Sequence, residues 1–299
     1  MITIKSVIED TKIIQIDKTR MYWALLKPRL SFLVAFSAGF GFLLGAEGEI
    51  NWLSFLILAF GGFLISGASI IINQVLEKDI DKLMKRTQKR PLPTKQLTVD
   101  EAIGFGFLIG LLGFTLLLIF TNFLTALLSL FSMFLYGFIY TPLKRIGPIA
   151  VIVGAIPGAL PPLLGWVAAR GEIGFEGFIL FLIQFAWQFP HFWAIAWVMD
   201  EDYQKAGFKL LPSRGGQDLN SAIQIMLSTL FLIPLGLIPY QLGISGLVSA
   251  IIVTMAGFFF LIPVVRLVFA PSRIVALQIM FGSFIYLPII QIAYLLDKI

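Results

Sequence analysis

The sequence lacks cysteine altogether and contains a single histidine, His191. The absence of cysteine excludes disulfide bonds, thiolate metal sites and cysteine nucleophiles. One histidine cannot form a metal centre that is built from several imidazoles. Any metal chemistry in this chain must therefore use oxygen ligands, which favours a hard cation such as Mg²⁺.

Charge is scarce as well. Only 13% of the 299 residues are charged, whereas 58% are hydrophobic. A water-soluble domain contains about a quarter charged residues, so a chain of this composition must face mainly lipid. We expect no cleaved signal peptide, because residues 1–20 are polar and lack an apolar core.

Nine apolar stretches are long enough to cross a membrane as helices, which requires about 20 residues each. The predicted spans are residues 29–46, 52–77, 99–121, 123–142, 147–169, 175–199, 219–240, 243–265 and 274–295. The sequence therefore predicts an all-α membrane protein, in which an N-terminal segment at 1–28 precedes one nine-helix domain at 29–299.

The basic residues are distributed unevenly between the two ends of these spans. The N-terminal segment and alternate loops contain 20 of the 22 lysine and arginine residues. By the positive-inside rule, we expect a protein of the cell (inner) membrane with its N-terminus in the cytoplasm and its C-terminus outside. The same distribution explains the net charge of +5 without nucleic acid as a partner. Both long polar loops, 78–98 and 200–218, fall on the cytoplasmic side, where we expect the functional site.

The first acidic motif lies at the end of the second predicted span. Asn73, Glu77 and Asp81 recur at every fourth position, so on a helix they share one face. Their oxygens could form part of a Mg²⁺ site, since this ion also retains water and substrate phosphates as ligands. Arg86 and Arg90 follow, and guanidinium groups suit phosphate oxygens. A frayed helix end is the alternative, but polar side chains within an apolar span are costly unless they are used. The motif therefore indicates a diphosphate and its metal ion.

A second acidic cluster, at residues 200–202, begins the other long cytoplasmic loop. Two clusters that face each other could hold one or two Mg²⁺ ions around a diphosphate, with Asp202 as a metal ligand. Lys205, Lys209 and Arg214 could contact phosphate. The positive-inside bias could equally account for these cations.

The sixth predicted span contains Trp187, Pro190 and His191. His191 lies roughly 13 Å from the cytoplasmic end of the span, at 1.5 Å per residue. The proline removes a backbone donor and favours a kink that opens carbonyls toward a cavity. The histidine could be an axial ligand or hydrogen-bond partner of an acceptor substrate, a general base, or a buried structural residue. The sequence leaves these roles open.

The fifth predicted span is interrupted by six small or helix-breaking residues: Gly154, Pro157, Gly158, Pro161, Pro162 and Gly165. Such residues are tolerated in a membrane where the backbone lines a cavity. Close packing of helices through small residues is the alternative. A glycine-rich face could also leave a slot for a flat macrocycle.

Seven segments of the chain together resemble the UbiA superfamily of intramembrane prenyltransferases, and within it the branch that modifies haem. They are LKPR at 26–29, NQVLEKDID at 73–81, MKRTQKRPLP at 84–93, YTPLKR at 140–145, GAIPGALPPLLGW at 154–166, WQFPHF at 187–192 and DYQKAG at 202–207. The nine-span layout is also similar to that of the family. Glu77 stands where many relatives have aspartate.

The resemblance implies transfer of a farnesyl group from farnesyl diphosphate to a vinyl group of haem b, within a helical bundle whose cavity opens to the cytoplasm. It implies Mg²⁺ held by Glu77, Asp81 and Asp202. The residues implied to be catalytic are Asn73, Glu77, Asp81, Asp202 and Tyr140. Those implied to bind diphosphate are Arg86, Arg90, Lys144 and Lys205. His191 and Trp187 are implied to contact haem.

Membrane lipid is the other expected partner, with hand-over of the product to a haem A synthase or a terminal oxidase. A UbiA-type enzyme with another acceptor is the main alternative: a quinone precursor, a chlorin or a glycerophosphate lipid. A transporter is disfavoured, because the polar residues cluster at one membrane face. A haem-delivery protein would leave the acidic and basic pattern around Asp81 and Arg90 unexplained.

Overall fold

The computed structural model describes residues 18–213 and 216–299. Nine helices of this part of the chain are long and apolar enough to cross a membrane. In chain order they are α1 Pro28–Gly45, α2 Trp52–Glu77, α3 Val99–Phe120, α4 Phe123–Leu143, α5 Ile149–Arg170, α6 Phe175–Val198, α7 Leu219–Gln241, α8 Leu247–Phe269 and α9 Arg273–Leu296. Lys5, Lys12 and Arg214, which contribute to the basic clusters, lie outside the described residues.

The predicted all-α, nine-span architecture is confirmed, with one displaced span. The eighth span was expected at 243–265, but α8 begins and ends four residues later. Its first turn is capped by the other end of the chain: Gly246 donates its N–H to the carbonyl of Asp297 at 2.7 Å, and Ser249 donates to the Asp297 carboxylate at 2.6 Å. This cap is a tertiary contact, which local hydropathy does not register.

The first acidic motif spans the end of α2 and a short turn. The α-helix ends at Glu77, and a 3₁₀ turn follows at Asp81–Leu83. The expected single helical face through Asp81 is therefore bent at its last position. The second motif lies in a short helix, Asp200–Lys205, directly after α6. These two segments, together with the turn after α4, bring the charged loops to one end of the bundle.

Helix α5 is the central helix of the bundle. In its most apolar window 72% of the residues are buried, against 28% for α3. A Cβ atom on Gly41 would lie 1.9 Å from the carbonyl oxygen of Pro162, and one on Gly165 would lie 1.9 Å from that of Ala38. The backbones of α1 and α5 are thus in contact, which larger residues at these glycines would prevent.

The adjacent face of α5 lines a cavity, and the helix is continuous despite its prolines. Because Pro162 has no N–H, the carbonyl of Gly158 lacks its helical donor. The side-chain amide of Gln184 supplies one at 2.8 Å. The glycines and prolines of this span therefore serve both predicted roles: some pack closely against α1, and others line the cavity.

The outer surface of the bundle carries large apolar side chains. Phe107 on α3 is 71% exposed and Phe259 on α8 is 67% exposed. Such a surface is unsuited to water and matches the hydrocarbon core of a bilayer. Lipid-facing helices α3 and α8 therefore surround the more buried α5 and α6.

Candidate active site

One cavity of about 460 Å³ runs between the helices and reaches both the charged loops and the middle of α6. This volume lies within the usual range for small-molecule sites. Nine of the predicted site residues line it: Asn73, Glu77, Asp81, Arg86, Arg90, Tyr140, Lys144, Trp187 and His191. The charged residues among them, together with Asn73 and Lys27, are called the charged end below.

Glu77 is buried where α2 ends. Its Oε1 atom lies 2.7 Å from the ammonium group of Lys144, just after α4. This carboxylate oxygen is therefore paired with a buried cation. It retains lone pairs for a further ligand.

Asp81 is fully buried, and its Oδ2 atom accepts a 2.6 Å hydrogen bond from Arg90. Its Oδ1 atom has no hydrogen-bond partner among the described residues, although it is also buried. An unpartnered buried carboxylate oxygen is unfavourable unless a ligand completes it. Together with Glu77, it provides the hard oxygen donors that Mg²⁺ prefers, so the residues present fit this ion.

Asn73 lies one turn before Glu77 and is oriented by a π-helical segment of α4, Leu135–Tyr140. Its amide N–H donates to the hydroxyl of Thr141 at 3.0 Å, and that hydroxyl donates to the carbonyl of Tyr136 at 2.9 Å. The amide orientation is fixed by this chain of bonds. Asn73 also lines the cavity, and its side-chain carbonyl oxygen is an acceptor suited to a cation.

The second acidic motif lies beside the cavity instead of lining it. The carboxylate of Asp202 lies near the backbone N–H groups of Lys85 and Arg86, and its Oδ1 atom lies 3.4 Å from the ammonium of Lys205. Burial opposes ionisation of Asp202, but these donors outweigh it and hold its pKa below the usual range. In the described part of the chain, no three acidic or histidine side chains are close enough to share a metal ion. Metal ligation by Asp202 and phosphate contact by Lys205 stay predictions.

Two aromatic rings lie close to the ammonium group of Lys144. The ammonium of Lys144 lies 4.8 Å from the ring centre of Tyr140 and 5.7 Å from that of Phe208. Both rings line the cavity. Their faces can stabilise positive charge in a site from which water is excluded.

Lys27 is a cavity residue that the sequence motifs did not predict. It precedes α1, adopts a left-handed backbone conformation with φ of 43°, and lines the cavity. Burial, together with repulsion from Arg90, Lys144 and Arg86, lowers the pKa of its ammonium to about 7. Lys27 belongs to the LKPR segment of the family resemblance. A lysine just before a membrane span is, however, already explained by the positive-inside rule, so it did not stand out as a site residue.

His191 and Trp187 form a second cluster, deeper along α6. Their rings are stacked, with centres 4.4 Å apart and an interplanar angle of 18°. The indole N–H of Trp187 donates to the backbone carbonyl of Ser283 at 3.1 Å, and Nδ1 of His191 lies 2.8 Å from the Ser283 hydroxyl. Phe284 packs against the imidazole with ring centres 5.0 Å apart. These four residues of α6 and α9 are called the imidazole wall.

The charged end and the imidazole wall therefore face one cavity through buried carboxylates, cations and aromatic rings. A family model described as the UbiA prenyltransferase family matches residues 33–286. The chain belongs to the UbiA prenyltransferase family. Within this UbiA chain, the matched region contains both of the acidic motifs and the imidazole wall.

Named relatives match over almost the full UbiA chain. The protoheme IX farnesyltransferase of Cytophaga hutchinsonii is 50% identical over 278 residues, which cover 93% of this chain and 97% of that one. The protoheme IX farnesyltransferase of Christiangramia forsetii is 43% identical and covers 92% of each chain.

Solved structures share the fold. A structure of digeranylgeranylglyceryl phosphate synthase superposes with a TM-score of 0.78 at 21% identity, covering 94% of this chain and 98% of that one. A UbiA homologue from Archaeoglobus fulgidus bound to GPP and Mg²⁺ superposes with a TM-score of 0.64 at 16% identity, covering 92% and 99%. At these identities the likeness concerns the fold alone.

Proposed function

We propose that this chain transfers the farnesyl group of farnesyl diphosphate to a vinyl group of haem b, which gives haem O and diphosphate. Relatives 43% and 50% identical, matched over at least 92% of each chain, have the name protoheme IX farnesyltransferase. The main structural support for the proposal comes from the charged end of the cavity. There, two buried carboxylates lie beside four cations in a cavity of an otherwise apolar bundle, and one oxygen of Asp81 has no hydrogen-bond partner among the described residues.

Glu77 and Asp81 would hold Mg²⁺, and Asn73 lines the same cavity. When bound, Mg²⁺ neutralises the charge that develops on a diphosphate leaving group. The GPP and Mg²⁺ bound to the A. fulgidus homologue support a prenyl diphosphate and this ion as ligands. Asp202 stays a predicted third ligand, which would require the short helix 200–205 to move toward the cavity.

Arg86, Arg90, Lys144 and Lys27 would bind the diphosphate. Arg90 and Lys144 are paired with Asp81 and Glu77. A bound diphosphate would give these cations further anionic partners, and the carboxylates would then be available to hold Mg²⁺. The cations then stabilise the electron pair that leaves with diphosphate when the allylic C–O bond breaks.

The farnesyl carbon that loses diphosphate becomes an allylic cation. The ring of Tyr140 at the cavity wall can stabilise this charge, and the surrounding apolar side chains keep water away from it. The π electrons of the haem vinyl group then form the new carbon–carbon bond. Water adds to the resulting cation beside the porphyrin and releases one proton, so the reaction consumes one water molecule and yields a hydroxyethylfarnesyl group.

Trp187 and His191 would contact the haem, because their rings line the cavity beyond the charged end. The other acceptors have weaker support. The name digeranylgeranylglyceryl phosphate synthase points to a glycerophosphate lipid, but that relative is only 21% identical, whereas the relatives of higher identity are named for haem.

The proposed orientation of the protein in the membrane rests on the distribution of its basic residues. The nine apolar helices and the family indicate a multi-pass membrane protein. The positive-inside rule supports a cytoplasmic N-terminus and a cavity whose charged end meets the cytoplasmic side of the inner membrane. Haem O would remain in the bilayer because of its farnesyl chain, so hand-over to a membrane-bound haem A synthase or terminal oxidase is the expected next step.

The proposal is tested by supplying purified protein with farnesyl diphosphate, Mg²⁺ and haem b, and by following the product by mass spectrometry. We expect a species whose mass equals haem b plus one farnesyl group and one water-derived hydroxyl. Parallel reactions should contain a hydroxybenzoic acid or a glycerophosphate lipid in place of haem. Product from one of these acceptors, and none from haem b, would contradict the proposal.

A further inference from the structure

The hydroxyl of Ser283 lies between two partners. It is 2.8 Å from Nδ1 of His191 on α6 and 2.6 Å from the backbone carbonyl oxygen of Met280 on α9. Ser283 is fully buried, so water does not compete for these bonds. Each short contact between polar atoms requires one hydrogen, and a hydroxyl has only one to give.

The carbonyl of Met280 decides where that hydrogen goes. A carbonyl oxygen only accepts, so the 2.6 Å contact requires the Ser283 hydroxyl to donate to it. The serine oxygen can then only accept from the imidazole. Nδ1 of His191 must therefore carry a hydrogen, which in a neutral ring leaves Nε2 with the lone pair.

The same contacts determine which ring edge faces the cavity. His191 lines the cavity and Ser283 does not, so Nδ1 is turned away from it toward α9. Trp187 covers one face of the imidazole, and its indole N–H is held by the carbonyl of Ser283. Phe284 packs edge-on against the ring. The ring cannot flip without losing its bond to Ser283, and the edge left for the cavity contains Nε2.

We propose that Ser283 is a positioning residue, which holds His191 in the tautomer protonated at Nδ1 and thereby presents the Nε2 lone pair to the iron of haem b. This proposal rests on the proposed function for the identity of the acceptor. A histidine that ligates a metal through one nitrogen usually donates from the other, and that second bond determines its tautomer and orientation. Ser283 would supply this bond across the interface between α6 and α9.

The tautomer is measured directly by NMR, because His191 is the only histidine in the sequence. Protein labelled with ¹⁵N-histidine has one imidazole, and its two nitrogen shifts distinguish Nδ1–H from Nε2–H and from the doubly protonated ring. In haem-free protein at mildly alkaline pH, we expect a protonated Nδ1 and an unprotonated Nε2. An Nε2–H tautomer, or an imidazolium, would overturn the proposal. This result depends on wild-type protein alone, so it stands even if a variant fails to fold.

The role of Ser283 is measured by titrating haem b into the Ser283→Ala variant. We expect about tenfold weaker binding and a shifted Soret band, since outer partners of metal ligands typically contribute 10–100-fold in affinity. Ser228→Ala is the matched control, because its hydroxyl also donates to a carbonyl three residues earlier, that of Ile225, on α7. It should bind haem as the wild type does.

Unchanged haem affinity in Ser283→Ala would overturn the proposal, whatever the tautomer. Failure of the proposed function would look different. In that case the NMR spectrum would still show the Nδ1–H tautomer, but wild-type protein with farnesyl diphosphate and Mg²⁺ would not farnesylate haem b. The two experiments therefore fail independently.

Discussion

At the charged end of the cavity, the functional side chains form ion pairs, Asp81 with Arg90 and Glu77 with Lys144. At the imidazole wall, they are aromatic rings oriented by hydrogen bonds to Ser283. The first arrangement suits an anion and a metal ion, which can exchange partners with the paired charges. The second suits a flat ligand that needs a fixed, uncharged surface. The two proposed substrates would therefore bind at different places in one cavity. Variants at the charged end should affect farnesyl diphosphate and Mg²⁺, and variants at the imidazole wall should affect haem binding.

The largest effect is expected from Asp81→Asn at the charged end. The amide keeps the size of the side chain but removes the charge and one acceptor from the metal site. Loss of several kcal/mol of charge stabilisation corresponds to a fall in turnover of about 10³-fold. Turnover is measured with farnesyl diphosphate and haem b, and haem affinity by absorbance titration.

Asp79→Asn is the matched control for this variant. Asp79 is two residues away, its side chain is 70% exposed, and it pairs only with Lys82 on the surface. We expect nearly wild-type turnover. Turnover by Asp81→Asn within a few-fold of the control would remove Asp81 from the metal site. A large loss of haem affinity in Asp81→Asn would break the separation between the two ends.

At the imidazole wall, His191→Ala should weaken haem b binding by about 100-fold and change the Soret band, because the proposed ligand to iron is lost. Binding of farnesyl diphosphate, measured by calorimetry in the presence of Mg²⁺, should remain as in the wild type. An unchanged haem spectrum would instead indicate that His191 is a structural residue of the α6–α9 interface.

The Asp202→Asn variant tests whether Asp202 is a metal ligand of the charged end. The carboxylate lies beside the loop that contains Arg86, so we expect KM for farnesyl diphosphate to rise about tenfold and kcat to fall less than in Asp81→Asn. A collapse of kcat equal to that of Asp81→Asn, with loss of Mg²⁺ binding, would show that Asp202 moves onto the metal. Glu201→Gln, at a neighbouring exposed carboxylate, is the control.

The smallest effect is expected for Lys27 and depends on pH. Its pKa of about 7 means that the ammonium is charged below this pH and loses its proton above it. Because an anionic substrate binds the charged form, kcat/KM for farnesyl diphosphate should fall about threefold as pH rises through 7. Lys27→Arg keeps its charge over the whole range, so its profile should be flatter. Identical profiles for the two proteins would exclude Lys27 from diphosphate binding.

Much of the fold could be predicted from the sequence, because membrane spans depend on the hydropathy of about 20 consecutive residues. The starting point of α8 was predicted wrongly, since Asp297 determines it from the far end of the chain. Likewise, the bend between Glu77 and Asp81 depends on the loop that follows and not on the fourfold spacing.

The candidate site was predictable where a polar side chain stands out in an apolar span, as Asn73 and His191 do. Lys27 was hidden because basic residues are common beside membrane spans. Ser283 was hidden because a serine within an apolar helix usually bonds its own backbone, which Ser283 also does. Its second bond, to His191, becomes visible only when α6 and α9 are packed together.

The central claim is that one cavity holds the diphosphate at the charged end and haem at the imidazole wall. The most direct measurement is a cryo-EM structure with Mg²⁺, haem b and farnesyl thiodiphosphate, which reacts too slowly to turn over. We predict the diphosphate beside Asp81 and Arg90, and the haem iron bonded to Nε2 of His191. Haem bound outside this cavity, or diphosphate remote from Asp81, would contradict the account.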